Sequence, residues 1–227
     1  MGRFQRLICS PHWRRRHPTS EFVRRKNVLI IAEGFEEKPY IDKILSFPNI
    51  NKEHYCFAET INAKGNGNIL ARYQYEIQRG FYDVILIFCD ADKGSDQFLS
   101  VVYQIGDRFF ENKEDAMEVF IFANPVTLQV VLSHVGDAYL SKVAKKSNAQ
   151  IVKELTGIDG YKASQDQISE MIGKIHFSSL EAFKKRLDGI STDFKDVPST
   201  NFLTFLNRFE NDDDAWIENI NSLRKKA

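Results

Sequence analysis

Cysteine is scarce in this chain, and net charge is missing altogether. Its 3 cysteines in 227 residues, Cys9, Cys56 and Cys89, are odd in number and scattered. That excludes a disulfide scaffold and points to free thiols in a reducing compartment. With 31 Lys and Arg against 31 Asp and Glu, no global field draws the molecule toward nucleic acid. No apolar run approaches the roughly twenty residues that span a bilayer. The arginines near the start are not followed by the apolar stretch of a secretory signal. These absences lead us to expect a soluble, cytoplasmic protein. Internal repeats are also lacking. The glycine-rich stretch KGNGN at 64–68 has neither the spacing nor the Lys-Ser/Thr ending of a nucleotide-binding P-loop.

What is present is enough for a real core: 43% of residues are apolar and 12% aromatic. Charge is balanced overall but not locally. Arg3, Arg6, Arg14, Arg15, Arg16, Arg24, Arg25 and Lys26 face only Glu21 in residues 1–26, so the chain opens with a basic arm. Phe4, Trp13 and Phe22 lie among these cations. That mixture suits phosphate contact and base stacking, and equally an acidic partner surface. Zinc at Cys9, His12 and His17 is disfavoured, because no fourth ligand of suitable spacing follows.

Short apolar runs at 28–32, 54–61, 83–89 and 117–122 read as strands. Helical patterns alternate with them: one with Pro39 in its first turn, then about 64–79, about 96–110, and one opened by Asn124-Pro125. This alternation predicts a doubly wound α/β layer with a mostly parallel sheet over residues 27–136. Beyond Asp137 the spacing turns helical, with no convincing strand, which predicts a helical C-terminal subdomain over 137–227.

Two acidic clusters follow buried strands. Glu33 comes directly after the first strand, with Glu37 one helical turn further on, and Asp90 and Asp92 come directly after the third. In open parallel sheets, loops at the carboxyl ends of strands converge on one crevice. If the two strands are neighbours, these carboxylates meet there. Hard divalent cations favour such oxygen ligands. Helix capping is the competing explanation, since acids also stabilise helix starts. Use of the same edge twice favours metal.

The stretch EGFEE after VLIIA, followed by DAD after DVILIFC, resembles the Toprim arrangement found in topoisomerases, primases and OLD-type nucleases. The run from AKGNGN to DAD, and FANPVTLQVVLSH with His134, are similar to segments of RloB-like and OLD-like proteins. The resemblance covers about 27–135. It implies a Toprim-like fold and a Mg2+- or Mn2+-dependent nuclease acting on DNA or RNA, tRNA included. Glu33 would be a metal ligand or general acid/base, Asp90 and Asp92 metal ligands, and Glu37 a ligand for a second ion. Lys64 would steady phosphate charge. Arg14, Arg15, Arg16, Arg24, Arg25, Lys26 and Lys64 would contact nucleic acid. It further implies a role in prokaryotic anti-phage defence with a separate ABC- or AAA-type ATPase, and is compatible with a homo-oligomer. Leu128 and Val130 depart from the family, which tends to have glutamate and tryptophan there; Asp96 or Gln129 could substitute. A non-catalytic Toprim-fold binding subunit and a receiver-like module remain alternatives.

Overall fold

A computed structural model describes residues 24–91, 95–141 and 145–226. Arg14, Arg15, Arg16, Asp92 and the Cys9/His12/His17 group therefore lie outside the described residues.

The first strand, β1 (Lys26–Ala32), is buried from Val28 onward. It leads into α1 (Glu37–Leu45), whose Pro39 sits in the first turn, where a missing N–H costs little. The expected second strand is split into β2 (Tyr55–Phe57) and β3 (Ile61–Asn62), both parallel to β1. A short 3-10 turn over the NGN triplet precedes α2 (Ile69–Arg79). Strand β4 (Val84–Asp90) follows, then α3 (Ser95–Phe109). Strand β5 (Phe120–Asn124) begins later than its apolar pattern suggests, because Lys113–Val119 winds as 3-10 helix. Next is α4, the six-residue Thr127–Leu132.

The C-terminal part forms α5 (Lys145–Thr156), α6 (Gln165–Gly173), α7 (Leu180–Asp188), α8 (Phe202–Glu210) and α9 (Ala215–Ser222). Against expectation it also supplies a strand, β6 (Ser199–Thr200), antiparallel to β5. Two residues are too short to leave an alternating pattern. The strand is held by partners instead: Thr200 Oγ1 donates to the Phe122 carbonyl at 2.6 Å. The Asn201 amide bonds both Phe120 O and Phe122 N, at 2.7 and 2.9 Å.

The sheet order is β2-β1-β4-β5-β6, with β3 beside β1 on the β2 side. It is mostly parallel, with helices on both faces. Phe88 and Ile121 are paired in register, so Phe120 and Phe122 point to the opposite face. Tyr40 of α1 and Phe202 of α8 pack on Phe88, at ring separations of 6.1 and 5.7 Å. Phe98 of α3 packs on Phe120 and Phe122, each at 5.8 Å. Coverage of both faces explains why β1, β4 and β5 read as unbroken apolar runs. One core cluster extends from Val28 to Ile220.

Candidate carboxylate site at the strand-order reversal

From β1 the chain moves outward to β2 and β3, then crosses back to place β4 on the other flank of β1. The strand order therefore reverses between β1 and β4, where diverging connections leave a crevice beyond the carboxyl ends. Glu33 and Asp90 stand at that point. The Glu33 N–H donates to the Phe88 carbonyl at 2.9 Å, and Glu33 Oε2 accepts from the Asp90 backbone N–H at 3.1 Å. The two acidic motifs are thus stitched together directly. Asp90 Oδ1 accepts from both Thr127 N and Thr127 Oγ1, at 2.5 and 2.7 Å. The helix after the cis Asn124–Pro125 peptide therefore serves to orient Asp90.

Gly34 lets the loop close over this point. A Cβ there would lie 3.0 Å from Glu37 Oε2, so a side chain would press on a carboxylate that is itself buried. Glu36 is the member the sequence reading passes over. It is half-buried by surface area yet densely surrounded by protein. Its Oε1 accepts from the Tyr161 hydroxyl at 2.6 Å. Burial pushes its carboxyl up to about 7, and Glu37 beside it adds to the rise, outweighing the Tyr161 bond. Its signal was present in the sequence, three residues after Glu33 as Glu37 is four. Thr127 and Tyr161 carried none, since each reaches the site only through the tertiary fold.

Burial also raises Asp90 well above the ordinary carboxylate range. Glu37, Glu36 and Glu33 push the same way, and the Thr127 bond opposes them. Four carboxylates thus share a region where each charge disfavours the next. The loop that carries Lys64 docks at the same rim. Gly65 N donates to Glu33 O at 2.7 Å, which docks the glycine-rich loop on the Glu33 loop. Lys64 itself is exposed, makes no ion pair among the described residues, and is held at φ 62 with its N–H on Asn62 Oδ1 at 2.7 Å. A left-handed non-glycine residue is strained, and such strain concentrates at functional sites.

Other expected residues lie elsewhere. Lys26 opens β1, about 23 Å from Glu33 at the usual strand rise of roughly 3.3 Å per residue, and Arg24 and Arg25 come just before it. Arg24 pairs with Asp83 at 3.3 Å and Lys26 with Asp214 at 2.9 Å, while Arg25 reaches the Lys52 carbonyl at 3.4 Å. The structure does not bring these three cations to the carboxylate rim. Gln129 is committed to packing: its Nε2 donates to Ala138 O at 2.6 Å and its Oε1 accepts from Leu140 N at 2.8 Å. Leu128 and Val130 are buried, and Asp96 is exposed in the first turn of α3. His134 is a core residue, stacked on Phe183 at 3.6 Å and bonded to the Tyr40 hydroxyl at 3.0 Å.

Among the described residues, no three His, Cys, Asp or Glu side chains converge as a metal-holding group. Glu33 and Asp90 do come together, and Asp92 lies outside the described residues. Two carboxylates with water and substrate phosphate are an ordinary donor set for Mg2+. A cluster that favours protons when no counter-charge is near is one a divalent cation would bind by displacing them. The residues present fit such an ion. No helix among the described residues is long and apolar enough to cross a membrane. No protein-family model matches the chain, and no curated protein or solved structure matches it either.

Proposed function

We propose that this protein is a Mg2+- or Mn2+-dependent nuclease with a Toprim-like fold, cleaving phosphodiester bonds in DNA or RNA, tRNA included. One observation carries the reading: Glu33 accepts a hydrogen bond from the Asp90 backbone at the point where the strand order reverses. Glu33 and Asp90 would hold the ion, and the motif resemblance adds Asp92, two residues on in the sequence. Bound there, the ion would supply Lewis-acid activation of water and of the scissile phosphate. Thr127 fixes the Asp90 carboxylate through two donors. Lys64 offers the cation that a phosphate needs beside so many acids. Glu36, whose carboxyl burial raises to about 7 when no counter-charge is near, lies in the same cluster, and an ion bound there would draw it toward its charged form. A role in anti-phage defence beside a separate ATPase rests on the motif resemblance alone.

A second reading, a Toprim-fold subunit that binds nucleic acid or a partner protein without cutting, draws on α4. Its Leu128 and Val130 are buried and its Gln129 is spent on backbone partners, so this helix offers no acid for a second ion.

Purified full-length protein with Mg2+ or Mn2+ should cleave plasmid, single-stranded DNA or bulk tRNA. Asp90→Asn and Glu33→Gln should each lose at least a hundredfold in rate while melting as cooperatively as the parent. Mg2+ should raise the melting temperature of the parent and leave that of Asp90→Asn unchanged. A parent protein that cuts none of the three substrates, with the ion shown to bind, would favour the binding subunit.

A further inference from the structure

Tyr161 reaches the carboxylate site from the helical part of the chain, 125 positions away from Glu36 in sequence. It lies in residues 157–164, the connection from α5 to α6. Helix α6 packs against α1, and Phe35 and Pro39 share a hollow with Gln165 and Ile168. The start of α6 therefore stands beside the loop that carries Glu33 and Glu36.

This connection is shaped in advance. Gly157, Gly160 and Ala163 take left-handed backbone at φ 78, 57 and 55, and for Ala163 that conformation is strained. One side chain clamps the turn around Tyr161. Gln167 Nε2 donates to Asp159 O at 3.3 Å and Gly160 O at 3.2 Å, and Gln167 Oε1 accepts from Lys162 N at 2.8 Å. The backbone is thus held on both sides of Tyr161. Ile158 is buried, and Lys153 pairs with Asp159 at 3.1 Å. Tyr161 is presented from a fixed frame.

What that frame holds is Glu36. The Tyr161 hydroxyl donates to Glu36 Oε1 at 2.6 Å. Burial, and the charges of Glu36, Glu37 and Asp90, keep the hydroxyl protonated far above neutral pH, so it remains a donor. Glu36 is near enough to Asp90 to push the Asp90 carboxyl up. Yet among the described residues it does not complete a three-carboxylate group with Glu33 and Asp90. It stands just outside the pair, turned to Tyr161. Affinity for a hard divalent cation rises with the number of charged oxygen ligands. We propose that the 157–164 loop is a latch on the carboxylate site: the Tyr161 hydroxyl holds Glu36 away from Glu33 and Asp90, and breaking that bond lets Glu36 join them as a third ligand for a divalent cation. The helical part of the chain thereby sets the ion affinity of the sheet edge. The proposal rests on the ion site of the nuclease reading and adds its regulation.

The test is calorimetric titration of the full-length protein with Mg2+ alone, which needs no cleavage to be read. At pH 8, above the Glu36 value of about 7, the cation competes with the hydroxyl rather than with a proton. Tyr161→Phe keeps the ring and deletes the donor. It should bind Mg2+ about tenfold more tightly than the parent, the equivalent of one hydrogen bond to a charged group. That gain should depend on Glu36: Tyr161→Phe added to Glu36→Gln should bind no more tightly than Glu36→Gln alone. Gln167→Ala bonds no carboxylate in the parent and should tighten binding in the same direction by loosening the loop. General destabilisation cannot mimic these results, because it weakens ion binding. Unchanged or weaker Mg2+ binding in Tyr161→Phe, with the parent binding, overturns the latch and leaves the ion site standing. Tighter, Glu36-dependent binding without cleavage of any substrate keeps the latch and overturns the nuclease reading. Absence of Mg2+ binding in the parent and in every variant removes both.

Discussion

His134 shows how packing claims a residue of a type that catalysis often uses. Burial, with the Arg186 guanidinium nearby, lowers its imidazole to about 3, so the folded protein holds it neutral. In the unfolded chain it titrates near its ordinary value of about 6.5. Between those values the unfolded state binds more protons, so stability rises with pH across the window and falls on acidification. The slope from this one group is at most about 1.4 kcal/mol per pH unit. Glu36 and Asp90, raised by burial, take up protons in the folded state over the same range and oppose this loss, so the share of His134 is read as a difference between variants. On going from pH 7 to pH 5, the parent should lose on the order of 2 kcal/mol more than His134→Gln, which cannot gain the proton, as measured by denaturant unfolding of both. A histidine that acted in catalysis would need to be reached by substrate; this one stacks flat on Phe183 at 3.6 Å.

Among the described glycines, the tightest approach between elements is that of α3 on the 3-10 segment Lys113–Val119. A Cβ at Gly106 would lie 2.1 Å from Lys113 O and 2.5 Å from Lys113 Cα. Backbone cannot swing aside as a flexible side chain can. Gly106→Ala should therefore push α3 off the segment that leads into β5, at a typical overpacking cost of about 1–3 kcal/mol. For a chain of this size that is a fall in melting temperature of roughly 2–12 °C, measurable by circular dichroism. An unchanged melt would mean that the helix and the 3-10 segment can part without cost. The same scale explains the late start of β5. The apolar pattern from Met117 onward suits a strand, but Ala116 and Val119 are buried within the 3-10 turn packed under α3, and tertiary contact overrides local preference.

Across the whole molecule, the C-terminal third closes both flanks of the sheet. At the β5 flank, β6 and Asn201 bond its backbone. At the β2 flank, Tyr55 donates to Asp213 O at 2.9 Å and Trp216 donates to the Tyr55 hydroxyl at 3.2 Å. Phe202 and Phe205 of α8 and Ile217 of α9 belong to the core that holds Val28 and Phe88. Thermal unfolding of the full chain should therefore be a single transition by every probe. A chain stopped after residue 136 would expose the β5 edge and the Phe88 face, and should be insoluble or lack cooperative melting. A soluble 27–136 fragment with its own sharp transition would show instead that the α/β layer folds alone.

What the amino-acid order determined by itself is local: four apolar strand segments, the helices between them, the acids that follow the first and third strands, and the turn chemistry of KGNGN. Each follows from periodicity or from residue types adjacent in the chain. Only the tertiary structure decided which strand ends are neighbours, and hence that Glu33 meets Asp90 while Lys26 faces the opposite rim. It also decided that Thr127 and Tyr161, remote in sequence, position Asp90 and Glu36, and that Gln129 belongs to packing. The reason is physical: strand order and side-chain reach depend on how buried faces pair across the whole core, and no spacing within one segment records that pairing.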